Sequence, residues 1–368
     1  MNRPKLSTIG TWGLAAASVG LIVWDLRRKQ GQREQKHPLS GGRLSTARNA
    51  DQLREPGRGR DADRPAEIPA KGWKDILLRT WKEFNEDQIP MIAAGMTFYT
   101  LLALFPGIGA FVALYGLFAD VAEAQKHVQA LSAILPGGAI TLVGDQMVRV
   151  AAAGEGGLSL TFVIGLLAAL WSSNGAMKAV ITGLNIAYDE RESRGFLRKT
   201  LVPLIFTIAI LLFVITGLTL VTVGSALRSH LGDEVGLAYS AILWPVLFAG
   251  FTLGLALLYR FGPSRAIARW RWISWGSVLA AVAWLLMSSG FSLYVANFGD
   301  YDKSYGTLGA AIGFMTWVWL SGMVILMGAE LNSEIEHQTA KDSTVGAPKP
   351  LGRRGAVMAD TIGEAQST

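Results

Sequence analysis

Seven blocks of apolar residues decide what this chain can fold into. They are Thr8–Trp24, Ile92–Phe118, Leu158–Ala187, Leu201–Val223, Leu237–Tyr259, Ile273–Phe298 and Thr307–Ala329. Six of the seven exceed the roughly 20 residues that a helix needs to cross a bilayer core. A chain surrounded by lipid must satisfy its backbone N–H and C=O groups internally, which leaves helices or a closed barrel. Strict apolar–polar alternation is absent, so a β-barrel is disfavoured. Only 17% of the residues are charged, against about 25% in soluble domains. The expected fold is all-α: a polytopic helical membrane protein with a six-span core bundle and an N-terminal anchor helix.

The chain has no cysteine, which excludes disulfides, thiolate metal sites and a cysteine nucleophile. Its net charge of +6 invites a nucleic-acid reading. The basic residues instead concentrate beside the hydrophobic blocks, where membrane topology accounts for them. Arg191, Arg194, Arg198 and Lys199 follow the third block, and Arg260, Arg265, Arg269 and Arg271 follow the fifth. The alternate loops are poorer in charge. Cytoplasmic loops carry the Lys and Arg excess, so both ends of the core are expected inside, in a bacterial inner (plasma) membrane. Membrane lipids are the expected partners, a homo-oligomer is compatible with the sequence, and no nucleic acid, metal or cofactor is expected.

Residues 1–30 are expected as a membrane anchor, with a cleaved signal peptide as the rival reading. Residues 31–70, rich in Arg, Gly, Pro, Asp and Gln, cannot bury enough apolar surface to offset their ordering entropy. They are expected as a disordered cytoplasmic linker. The membrane domain spans 71–338, and 339–368 is expected as a disordered tail. In the outer loop Ala119–Gly157, two apolar helical patterns flank Pro136-Gly137-Gly138. These predict two short amphipathic helices, lying on the membrane or capping the bundle.

The third block is interrupted by polar groups. On a helix at about 100° per residue, with Asn174 at zero, Asn185 falls near +20°, Lys178 near +40° and Thr182 near +80°. Trp171 and Asp189 fall near +60°. The polar residues form one stripe, with Leu170, Ala176, Val180, Leu184 and Ala187 off it. Polar faces in lipid point into a bundle or a cavity. Asn174, Lys178, Thr182 and Asn185 are therefore the candidate groove. Interhelical hydrogen bonding of the asparagines and snorkelling of the lysine are the structural alternatives.

Pro106 and Gly107 sit within the second block. Proline there removes a backbone hydrogen bond and marks a candidate helix break or packed kink. Gly309 and Gly313, four apart in the last block, would permit close helix approach. Glu330, at the end of that block, is a candidate ion-pair partner for Lys178.

The stretches Ala93-Ala94-Gly95-Met96-Thr97-Phe98-Tyr99-Thr100-Leu101-Leu102 with Phe105-Pro106, Leu170-Trp171-Ser172 through Gly183-Leu184-Asn185-Ile186-Ala187-Tyr188, and Tyr305-Gly306-Thr307 through Gly328-Ala329-Glu330-Leu331-Asn332 recur in this order in one family. From about Trp73 to His337 the chain resembles the YihY/BrkB family of bacterial inner-membrane proteins. The resemblance implies a six-helix membrane protein with both core ends inside. Family members carry the labels virulence factor and ribonuclease BN, and the resemblance supplies no catalytic residue. Residues 1–70 lie outside it.

The ribonuclease label finds little in the residues. Phosphodiester cleavage needs metal ligands or a positioned acid and base. The four histidines, His37, His127, His230 and His337, are scattered. No P-loop or GxSxG motif is present. The leading expectation is a transporter or translocator of lipids and amphiphiles, with a polar groove lined by the third block. The alternative is a non-transporting scaffold that supports envelope integrity.

Overall fold

The computed structural model describes residues 55–115, 160–297 and 307–366. The expected anchor at Thr8–Trp24, the linker up to residue 54 and the amphipathic pair in Ala119–Gly157 lie outside the described residues. From Pro56 onward the chain forms one compact unit.

A short 3-10 turn, Pro65–Glu67, precedes α1, Ala70–Glu86. The six bundle helices are α2, Ile89–Tyr115; α3, Leu160–Ala187; α4, Phe196–Leu231; α5, Asp233–Phe261; α6, Trp270–Asn297; and α7, Thr307–His337. A single turn, α8, spans Val357–Asp360. Five of these, α3 to α7, contain stretches long and apolar enough to cross a membrane, and α2 adds the shorter apolar stretch Ile89–Leu104. Each bundle helix packs on the next, and α7 closes the ring on α2 while also touching α3. The described residues hold no strand, only an isolated antiparallel bridge between Ala268 and Thr344.

The bundle core collects Met96 of α2, Ile181 and Leu184 of α3, Leu255 of α5, Ala280 of α6 and Leu326 of α7. With no water to displace between helices in lipid, association depends on close packing and on paired polar groups. Both occur between α6 and α7. Trp284 donates to Ser321 Oγ at 3.0 Å, and Trp317 to Ser288 Oγ at 3.1 Å. A methyl added at Gly328 would lie 2.5 Å from Ala280 Cβ and 2.6 Å from the Tyr259 hydroxyl. Close approach is thus built at Gly328, opposite Gly276. It is not built at Gly313 of the expected Gly309–Gly313 pair, since Gly313 faces open space.

Two further expectations are corrected. Helix α2 continues through Pro106 and Gly107 to Tyr115. The helix breaks at neither residue, because a proline costs one hydrogen bond that a long apolar helix can carry. Residues 56–70 and 339–366 pack against one end of the bundle. Arg58, Arg60, Ala62 and Ile68 are buried in the first segment, and Thr339, Ser343, Thr344 and Arg354 in the second. The two segments bury each other's polar groups, so neither depends on an apolar core of its own. Helix α1 lies with them. Its buried residues Ile76, Arg79, Thr80 and Phe84 recur at helical spacing on one face. Ile68, Ile76, Trp272 and Ile335 make a second, smaller apolar cluster there.

Candidate functional site

The stripe on α3 divides along its width. Asn174, at its inner edge, is fully buried, and its Nδ2 donates to Thr200 O of α4 at 3.3 Å. Asn185, about 20° further round the helix, is also buried. Its Oδ1 accepts from the Ser264 backbone N–H at 2.8 Å, and its Nδ2 donates to Glu192 Oε2 at 3.3 Å. The Ser193 and Ser264 hydroxyls meet at 3.1 Å. Asn185 therefore ties the α3–α4 connection to the α5–α6 connection.

The outer edge behaves differently. Lys178 is half-buried and Thr182 and Trp171 are exposed. The Lys178 ammonium sits 5.4 Å from the centre of the Trp171 ring. Thr182 satisfies its hydroxyl within the helix, donating to Lys178 O at 2.9 Å. Lys178 forms no ion pair with Glu330. Glu330 is buried on α7 in the field of Asp87, Glu334, Glu83 and Asp189, all carboxylates. The two candidate partners diverge because Lys178 turns toward the outer surface of the bundle and Glu330 toward its polar end.

That polar end is the larger assembly, and the sequence reading missed it. Every residue from Gly328 to Glu336 of α7 is buried. Arg79 of α1 pairs with Glu334 and donates to Gln338 Oε1 at 2.7 Å and to Glu364 O at 2.9 Å. Arg265 pairs with Glu336 and lies 5.1 Å from the Tyr188 ring. Arg58 pairs with Asp75. Asn332 Oδ1 accepts the Gly276 backbone N–H at 2.9 Å. Arg354 donates to Ala340 O and Ala359 O, both at 2.6 Å. Buried charges persist only when paired and hydrogen-bonded, and the Arg79–Glu334 pair joins residues 255 positions apart in the sequence. Two clues were available. Asp75 and Arg79 stand four apart on α1, and Glu330 and Glu334 four apart on α7, so each pair shares a helix face.

Glu190 and Glu192 show how the connection after α3 responds to pH. Burial raises Glu190 to about 6, against the opposing pull of the Val357 N–H that it accepts at 2.8 Å. Hydrogen bonds from Arg194, 2.7 Å away, hold Glu192 down at about 2. The folded chain thus binds the Glu190 proton more tightly than the unfolded chain does. This contribution to stability is complete below the ordinary value of 4.5 and is lost as pH rises through about 6. Glu190→Gln, fixed in the neutral form, is expected to melt above wild type at pH 7.5 and level with it near pH 4. Parallel melting curves across that range would refute the assignment.

Among the described residues, no group of three or more His, Cys, Asp or Glu is placed to hold a metal ion. A surface recess at the start of α4 is lined by Arg194, Phe196 and Arg198 and by none of the stripe residues.

The comparisons with known proteins match this architecture. The family model for virulence factor BrkB matches residues 80–351. The ribonuclease-like protein YfkH of Bacillus subtilis is 31% identical over 248 residues, 66% of this chain and 88% of its own length. A UPF0761 membrane protein of Pseudoalteromonas atlantica is 28% identical, covering 74% of this chain and 94% of its own. The UPF0761 membrane protein RSc1559 of Ralstonia nicotianae is 29% identical over 70% of this chain, but only 59% of that longer protein is covered. No solved structure matches. The match runs through the whole helical ring and on past the end of α7 to residue 351, and the chain belongs to the BrkB family of integral membrane proteins.

Proposed function

We propose that this protein is a translocator of lipids or other amphiphiles, and that headgroups pass along the outer edge of the α3 stripe. The observation that carries the reading is Lys178. It is an ammonium group on a membrane-crossing helix, half-buried, without a carboxylate partner, and covered on one side by Trp171. Lys178 lies nine residues before Ala187, the last residue of α3, or about 13 Å from the helix end. A cation held at that depth is costly unless water or an anion reaches it. A headgroup phosphate travelling along Trp171, Lys178 and Thr182 would supply that anion while its acyl tails stay in lipid. Asn174 and Asn185 serve the passage only by holding α3 against its neighbours.

The orientation that goes with this reading puts the polar end in the cytoplasm of a bacterial cell, with the chain in the inner membrane. Its support is the Arg and Lys excess in the α3–α4 and α5–α6 connections. The proposal is non-enzymatic. The ribonuclease-like wording belongs to the name of the Bacillus subtilis relative. A scaffold is the second reading, favoured by the extent of the paired polar end.

Exchange of fluorescent phospholipids between leaflets, in proteoliposomes holding equal amounts of folded protein, separates the two. Lys178→Met is expected to slow exchange about tenfold, the scale of one lost charge-assisted hydrogen bond. Asn185→Ala is expected to reduce the folded yield but not the rate per folded molecule. Exchange no faster than in empty liposomes would refute phospholipid translocation and leave the scaffold.

A further inference from the structure

Arg260 is a charged side chain of the polar end that the bundle leaves unserved. Most neighbouring arginines are accounted for. Arg265 pairs with Glu336, Arg194 with Glu192, and Arg269 donates to Thr344 O at 2.8 Å. Arg260, at the end of α5, has no such acceptor. Its Nε and Nη1 are sealed from solvent with no hydrogen-bond partner. What seals them is aromatic: the guanidinium lies 4.2 Å from the centre of the Trp270 ring and 5.3 Å from that of Phe261. Cation–π contacts hold the group in place, yet they satisfy none of its N–H donors. The side chain as a whole stays partly exposed, and Trp270 and Phe261 are 46% and 40% exposed. The guanidinium therefore reaches the surface through Nη2 alone, at the junction of two membrane-crossing helices, between aromatic rings of the kind that settle at the lipid headgroup level.

A guanidinium without a carboxylate can donate a charge-assisted hydrogen bond to a phosphate oxygen, here from Nη2, the one nitrogen that is not sealed. At the headgroup level the abundant phosphate is that of a phospholipid, and net negative lipids are drawn further by the basic residues of the same end. We propose that Arg260, held between Trp270 and Phe261, is a binding site for the headgroup phosphate of an anionic phospholipid. Arg260 grips the phosphate, and the two exposed rings rest against the upper acyl chains. The site is stationary and separate from the α3 stripe, so it stands whether or not the protein translocates lipid.

The test is equilibrium binding of phosphatidylglycerol to the full chain in mild detergent, read by native mass spectrometry. Wild type is expected to bind about tenfold more tightly than Arg260→Gln, the scale set by a charge-assisted pair. Arg260→Lys should fall between them, because an ammonium keeps the charge but loses the planar group that stacks on the two rings. Lys178→Met should bind like wild type, which separates this site from the translocation reading. Equal affinity in wild type and Arg260→Gln would overturn the proposal. Displacement of the lipid by millimolar inorganic phosphate would overturn the lipid assignment, because the site would then serve a soluble anion. Arg260 makes no hydrogen bond within the bundle, so Arg260→Gln should fold. If its folded yield drops, Trp270→Leu, which strips the ring but keeps the charge, is expected to weaken binding severalfold, and unchanged binding there would count against the site.

Discussion

Arg79→Met is expected to cause the largest loss of folded protein of any single substitution at the polar end. The guanidinium of Arg79 pairs with the Glu334 carboxylate and also holds Gln338 Oε1 at 2.7 Å and Glu364 O at 2.9 Å. Removing it leaves the Glu334 carboxylate buried beside His337 alone, whose Nδ1 is 3.4 Å away. Breaking a buried pair from one side costs about 3–5 kcal/mol, against a typical net stability of about 5–15 kcal/mol. The melting temperature in detergent should fall steeply, and residues 56–70 and 339–366 should become open to protease. Removing both charges is a different perturbation, since an apolar pair of similar volume can replace a buried ion pair at little cost. Arg79→Met with Glu334→Leu should therefore recover much of the loss. A single mutant as stable as wild type would mean that the pair does not form.

The second large effect is steric. Gly328→Val puts a branched side chain where even a single methyl would stand 2.5 Å from Ala280 Cβ and 2.6 Å from the Tyr259 hydroxyl. Tyr259 donates that hydroxyl to Ile325 O at 2.8 Å. The valine must push α6 from α7 or displace the tyrosine. Overpacking costs about 1–3 kcal/mol, and an orphaned buried hydroxyl adds about 1–3 kcal/mol. Gly313→Val, on the same helix but facing open space, should change stability by less than about 0.5 kcal/mol. Comparing the two melting temperatures isolates helix approach from the general effect of losing a glycine. Equal shifts would move the close contact away from Gly328.

The membrane-crossing helices were legible because burial in lipid is a property of composition, readable within one window of sequence. The polar end was not, because its burial is a property of pairs. Arg60 and Gln338 look like solvated residues until Arg60 Nη1 is seen donating to Gln338 O across 278 positions of sequence. Residues 56–70 contain little apolar surface, and a window average assigns them to water. The same averaging made the end of α7 look like a hydrophilic fringe, although Glu334 and Glu336 are as deeply buried as Leu326 and Ile335. The α3 stripe was half legible. Helical angles placed Asn174, Asn185, Lys178 and Thr182 in the right order around the helix. They could not say which edge faced inward, since that depends on where α2 and α4 stand. The supposed Lys178–Glu330 pair failed for that reason.

The interlocking of residues 56–68 with 337–363 bears on the order in which this protein is made. Gln338 Nε2 donates to Arg58 O at 2.8 Å, Thr339 Oγ1 to Ala62 O at 2.7 Å, and Arg60 Nη2 to Gly363 O at 2.7 Å. Arg58 and Gln338 are 280 residues apart, a delay of roughly 15 to 60 s at about 5–20 residues per second of synthesis. Throughout that interval Arg60 lacks the carbonyls of Gln338 and Gly363 that it donates to, because they have not left the ribosome. A chain abandoned before residue 338 leaves them unmade for good. Completed and interrupted copies thus differ chemically at one end of the molecule, where a protease that surveys the membrane surface would meet them first.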